Sequence, residues 1–234
     1  MQQLTPSDNM IITKHTIGDE ALPLLVVDNF IAEPEALIQE AGFRDFSQNS
    51  PYYPGHRAEA PLAYQQCLLA CLTPTLVDVF QLPSEILSLS VCHYSVVTTP
   101  PTQLKLLQRI PHFDSLNKHG LAAVHYLFHG EQGGTSFYRH RKTGFESIDE
   151  SRKTAYFSSL ENENDGPNMP KMKDGYINGD TPLFTCIEQQ RGIYNRIIVY
   201  RRNTLHSGAI PSDFKPPLNL LDGRLTISSF IDCI

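Results

Sequence analysis

The sequence predicts an α+β chain that is mainly β, and three observations carry that expectation. Alternating, β-branched runs recur from Glu85 onward. The clear helical patterns lie before position 84. The 234 residues are 41% hydrophobic and 19% charged, enough apolar matter for one core and too little charge for a disordered chain or a long coiled coil. A single domain over 1–234 is expected, in which 1–84 packs on a core formed by 85–234.

ALPLLVVDNF at 21–30 is a buried-strand pattern. AEPEALIQEAG reads as a short surface helix: Pro34 suits a first turn, Glu33 and Glu35 favour its positive end, and Gly42 stops it. From Leu62 the apolar positions Ala63, Cys67, Leu68 and Cys71 share one helical face, with an end expected near Pro74. EILSLSVCHYSVV opens the β-rich part. LAAVHYLFHGEQGGTSFY then reads as a hairpin turning at Gly130–Gly134, and NRIIVYRR and RLTISSFI as two further strands. Residues 139–195 carry RHRK, ENENDGPN and KDGYINGD and read as a polar insertion over one face, with a helix between Glu146 and Leu160. His119 and His140 read as exposed loop residues, and YYPGHR as a loop bordering a pocket or simply anchored by Tyr52 and Tyr53.

Composition narrows the partners. Nineteen Lys and Arg against 25 Asp and Glu give a net charge of −6, without the basic excess that nucleic acid demands. Five scattered cysteines with no CxxC pair favour a reducing compartment over a disulfide framework. No basic-then-apolar leader and no run of membrane-spanning length is visible, so a cytoplasmic protein without membrane or nucleic-acid partners is expected. A twofold homodimer is the default oligomer.

The residues with the most chemical content are His112 and Asp114 in IPHFDSL. On an extended segment positions i and i+2 point to one side, so both can reach one metal ion. His206 follows the strand NRIIVY, and two imidazoles with one carboxylate form the facial set suited to Fe(II) with open positions. Without a third ligand the pair is an ordinary surface motif. Arg224 opens the last strand with Thr226 on the same side; its planar fork suits a carboxylate, and the alternative is solvent or Asp222. His125 and His129 remain a second candidate metal pair, and Cys67 with Cys71 a hydrophobic stripe.

Taken in order, SVCHYSVV, PHFD, VHYLFHGEQGGTSFY, YNRIIVYRRNTLHSG and GRLTISSFI resemble the Fe(II)/2-oxoglutarate dioxygenase superfamily. The likeness is strongest to its prolyl-4-hydroxylase-type branch and extends to a bacterial subgroup with no assigned substrate. It covers Leu87 to Ile231, and VVDNFIAEPEALIQEAGF resembles the family's first strand and helix. The resemblance implies a double-stranded β-helix (jelly-roll, cupin-like) of about eight strands with flanking N-terminal helices. It implies iron held by His112, Asp114 and His206, and 2-oxoglutarate held by Arg224 with Thr226 and Tyr94. Consumption of O2 and oxidation of an unidentified small-molecule or peptidyl substrate follow, with the 139–195 insertion as a lid and Tyr156, Phe157 and Tyr176 as candidate substrate contacts. Two other readings stand beside it: a cupin-like metal enzyme that is not oxidative, and a non-catalytic binding module retaining the fold.

Overall fold

A computed structural model of the chain describes residues 4–48, 51–164 and 166–234. Its described residues form ten strands and three helices. In chain order these are β1 (Ile11–Ile17), β2 (Leu22–Asp28), α1 (Pro34–Ala41), β3 (Gly55–Glu59), α2 (Leu62–Phe80), β4 (Leu87–Val97), β5 (Leu121–Tyr126), β6 (Gly134–His140), α3 (Lys153–Glu163), β7 (Phe184–Arg191), β8 (Ile197–Arg201), β9 (His206–Ala209) and β10 (Leu225–Cys233). Two antiparallel sheets result, one of seven strands in the order β1-β2-β8-β5-β10-β4-β3 and one of three in the order β7-β6-β9. No helix among the described residues is long and apolar enough to cross a membrane.

The central strands are buried on both faces, and their period of two sorts residues between two cores. Leu121, Ala123, Ile197, Val199, Leu225 and Ile227 pack under α1 and α2, whereas Ala122, Tyr126, Ile198 and Tyr200 face the smaller sheet. A third cluster joins that sheet to α3 through Tyr138, Tyr156 and Phe184. Residues from both sides of position 84 share the first core, including Phe30, Tyr64, Leu68 and Ile231.

Several sequence expectations change. The second helix does not stop near Pro74 but runs to Phe80, since Leu68, Leu72, Leu76 and Phe80 recur on one fully buried face. An internal proline costs about 3 kcal/mol, and burying Leu76 and Phe80 returns roughly 1.5–3 kcal/mol each. The expected hairpin at 121–138 is instead a corner: β5 pairs with β8 and β10, β6 pairs with β7 and β9, and 127–133 carries the chain between sheets. Gly133 sits at φ +88°, and a Cβ there would lie 1.9 Å from the Ala209 carbonyl oxygen, so this corner requires glycine. The 139–195 stretch contains β7 as well as α3, and β1 and β3 are strands the sequence did not signal. His140 is fully buried rather than exposed, its ring nitrogens paired with Thr143 Oγ1 (2.9 Å) and Glu163 Oε2 (3.0 Å).

A reciprocal clasp ties the insertion to the first hairpin. The buried Glu146 carboxylate accepts from the backbone N–H groups of Asp19 (3.0 Å) and Glu20 (2.9 Å) and from Arg139 Nε (2.7 Å). In return the Glu20 carboxylate accepts from Glu146 N–H (3.0 Å), Ser147 Oγ (2.6 Å) and Arg152 Nη1 (2.6 Å). Gly18, at φ +67°, leaves the room: a Cβ there would lie 2.1 Å from Glu146 Oε2.

His125 is also buried, stacked on Tyr64 at 5.7 Å and donating from Nε2 to Asn195 Oδ1 at 3.1 Å. Burial pushes its pKa down to about 4. The native state therefore holds it neutral, while the unfolded chain takes up a proton near pH 6.5. Stability supplied by this group is present above pH ~6.5 and lost as pH falls toward 4, by up to about 1.4 kcal/mol per pH unit. Urea midpoints measured at pH 7, 6 and 5 should fall in that order, and His125→Gln should reduce the slope, leaving the share of the other histidines with lowered pKa.

Candidate metal centre and anion pocket

The register between one irregular segment and one short strand builds the site. His112 and His206 face each other in an isolated antiparallel bridge, with His112 N–H donating to the His206 carbonyl (2.9 Å) and His206 N–H to the His112 carbonyl (2.8 Å). Their ring centroids lie 4.4 Å apart. Two residues on, Asp114 N–H donates to the Arg202 carbonyl (2.7 Å), which fixes its backbone beside both rings. Asp114 then places Oδ1 3.8 Å from His112 Nε2 and Oδ2 3.5 Å from His206 Nε2. One ligand atom from each of the three residues lies within 4.8 Å of the others.

The ligand atoms are also in the right chemical form. His206 Nδ1 is 2.9 Å from the Thr204 carbonyl oxygen, a bond that requires the proton on Nδ1 and leaves the Nε2 lone pair facing Asp114. Tyr200 packs on the same ring at 4.7 Å. His112 opens on a cavity and half of its side-chain surface is accessible from it, yet protein surrounds the ring. Desolvation and then the neighbouring His206 bring its pKa down to about 4, so it is neutral and able to bind metal at pH 7.

The cavity, about 580 Å³, lies on the face of the larger sheet that looks toward the smaller one. Arg224 enters it from the residue before β10 and is 5% exposed. Its Nη2 donates to the Gly134 carbonyl at 2.7 Å, its guanidinium lies over the rings of Tyr126 and Phe128 at 5.7 and 5.6 Å, and its Nε has no partner. Among the described residues no carboxylate forms an ion pair with it, Asp222 included. Thr226 lines the same wall, its hydroxyl donating to the Ser95 carbonyl at 3.2 Å. The 18 positions between His206 and Arg224 do not separate them: Gly134, which holds Arg224, is paired with Ala209 at the end of β9.

Tyr94 is not in this cavity. The register pairs Ser95 with Thr226, so Ser95 shares the cavity face and Tyr94 points the other way. Its ring is in the helix-side core and its hydroxyl donates to the Leu37 carbonyl at 2.8 Å. Tyr156, Phe157 and Tyr176 all line the cavity. His125 and His129 diverge, the latter stacking on Tyr194 at 4.0 Å. The five cysteines are unpaired, and burial pushes the Cys67 and Cys92 thiols up to about 11, which keeps them protonated. Of the two readings of YYPGHR, the pocket border holds: Tyr52, Tyr53, Pro54 and Arg57 line the cavity, although the sequence reading assigned Arg57 no role there. Arg57 lies on β3, within the YYPGHR segment, where no alternation marks a strand.

A family profile matches residues 8–231, nearly the whole chain. The chain belongs to DUF6445, a family of unknown function. No curated protein sequence matches it. Among solved structures it is similar to SnoN, described as a non-heme alpha ketoglutarate dependent epimerase from nogalamycin biosynthesis (13% identity, TM-score 0.47, 86% of this chain and 71% of that one). It is also similar to HygX from Streptomyces hygroscopicus with nickel and 2-oxoglutarate bound (14%, 0.46, 95% and 82%). A third is SnoK, a non-heme alpha ketoglutarate dependent carbocyclase of the same biosynthesis (12%, 0.43, 89% and 78%).

Proposed function

We infer that this DUF6445 member is an Fe(II)- and 2-oxoglutarate-dependent oxygenase of hydroxylase type, built on a double-stranded β-helix formed by its two sheets. The observation that carries the reading is Arg224: a buried guanidinium with an unpaired Nε and no ion-pair partner, opening into the same cavity as the His112–Asp114–His206 cluster. A buried cation without a counter-charge is costly, and a ligand carboxylate supplies one. The donor set suits Fe(II), since two imidazoles and one carboxylate leave positions for a chelating cosubstrate and O2. His112, Asp114 and His206 would hold the metal, and Arg224 with Thr226 the distal carboxylate of 2-oxoglutarate. The motif order Leu87–Ile231 favours the prolyl-4-hydroxylase-type branch.

When bound, Fe(II) and 2-oxoglutarate couple decarboxylation of the oxo acid to activation of O2. The protein's own residues position and enclose that chemistry. Thr204 holds the His206 tautomer, Tyr126 and Phe128 flank the arginine, and Tyr156 and Phe157 of α3 line the cavity wall. Anaerobic addition of 2-oxoglutarate to the Fe(II)-loaded protein is expected to give the visible charge-transfer band of chelated 2-oxo acid. Arg224→Ala should raise the 2-oxoglutarate concentration needed by about 10–100-fold, the size of a lost charge-assisted pair. Iron binding with no band at any 2-oxoglutarate concentration would replace this reading with a non-oxidative metal enzyme.

A further inference from the structure

Arg57 is a second cationic side chain in the cavity, and the proposed cosubstrate does not account for it. Its backbone is fixed from two sides, paired with Ser95 of β4 and bridged to Ser47 through Ser47 N–H to the Arg57 carbonyl (3.0 Å) and Arg57 N–H to the Ser47 carbonyl (2.9 Å). The register Arg57–Ser95–Thr226–Tyr126 places it on the cavity face. Its guanidinium stacks on the Tyr53 ring at 4.2 Å, its Nε is buried without a hydrogen bond, and no carboxylate of the described residues forms an ion pair with it. Burial works against its charge, with Tyr53 and Asp114 the groups that favour it.

Charge decides what is missing. Fe(II) and the 2-oxoglutarate dianion cancel, Asp114 offsets one arginine, and the other arginine, half-buried on the cavity wall, remains without an offset. One further monoanion would complete the balance, and a dianion would overshoot it. The cavity rim carries exposed apolar side chains: Tyr52, Leu107 and Phe157 are 71, 58 and 41% exposed, and Phe113 packs on Phe157 at 6.0 Å. We propose that Arg57 is a specificity-determining residue that receives the carboxylate of the substrate, and that the substrate is an apolar or aromatic carboxylic acid whose body lies against this rim. This rests on the oxygenase reading above.

The test uses Mn(II) in place of Fe(II), saturating 2-oxoglutarate, and calorimetric binding of 3-phenylpropanoate, 3-phenylpropanamide and phenyl phosphate. The acid is expected to bind at least about tenfold more tightly than its amide. That ratio should fall to about one in Arg57→Gln and recover in part in Arg57→Lys, with Mn(II) and 2-oxoglutarate affinities within about threefold of wild type. The proposal is overturned by a wild-type ratio near one, a ratio that survives Arg57→Gln, or no binding of either phenylpropanoid probe up to about 10 mM. It is equally overturned if phenyl phosphate binds most tightly, or if Arg57→Gln rather than Arg224→Gln abolishes 2-oxoglutarate binding. Failure of the oxygenase reading shows separately, as no heat on adding 2-oxoglutarate. The acid-to-amide ratio is then measured on Mn(II)-loaded Arg224→Gln protein, with and without Arg57→Gln, and the same criteria apply.

Discussion

His206→Ala is expected to abolish usable metal binding, weakening Mn(II) affinity by more than about 100-fold. Loss of an outer-sphere partner alone costs 10–100-fold, and here a ligand itself goes. Calorimetry or the electron paramagnetic resonance of free Mn(II) reads the effect directly. The bridge that holds His112 opposite position 206 is made by backbone groups, so the variant keeps its fold while losing the ligand. Thr204→Val should not reproduce the loss, because the Thr204 group that orients the imidazole is its carbonyl. If His206→Ala retained wild-type Mn(II) affinity, the cluster around Asp114 would not be the metal centre.

Glu146→Ala should be the most damaging change away from the cavity. It removes the acceptor for two backbone N–H groups and one of the two carboxylates paired with Arg139, the other being Asp19 at 2.7 Å. Leaving the two N–H groups without an acceptor costs about 1–3 kcal/mol each. For a chain of this length each kcal/mol shifts the melting temperature by about 2–4 °C, so a fall of roughly 4–24 °C is expected. Gly18→Ala should act in the same direction, since its methyl would occupy the carboxylate's place and its φ is positive. Combining the two should cost less than the sum, because both break one clasp. Full additivity in thermal melts would mean that the clasp is not the shared cause.

The local parts of the site were legible and the relational parts were not. His112 and Asp114 could be paired from their spacing on an extended segment, but only the bridge to β9 brings His206 to them. Arg224 and Thr226 share a face by period two, whereas Tyr94 was assigned without the register that places Ser95 opposite Thr226. The glycine-rich turn after β5 announces that the chain changes direction, and nothing local says which sheet receives it. His140 looked exposed among RHRK because its partner Glu163 lies 23 residues away. Arg57 was read in a loop that could border a pocket and not on a strand for the same reason: GHRAE acquires strand character only from β4, far along the chain. Pro74 is the converse case, a strong local signal overruled by packing.

The position of β2 in the larger sheet has a consequence for synthesis. Its strand neighbours are β1, made just before it, and β8, which begins at Ile197. About 170 residues must leave the ribosome between the two, which at 5–20 residues per second takes roughly 10–35 s. Throughout that interval the apolar LPLLVVD edge has no native partner on its inner side. The nascent chain thus carries an open strand edge until β8 is made, a template on which another chain can pair and aggregate.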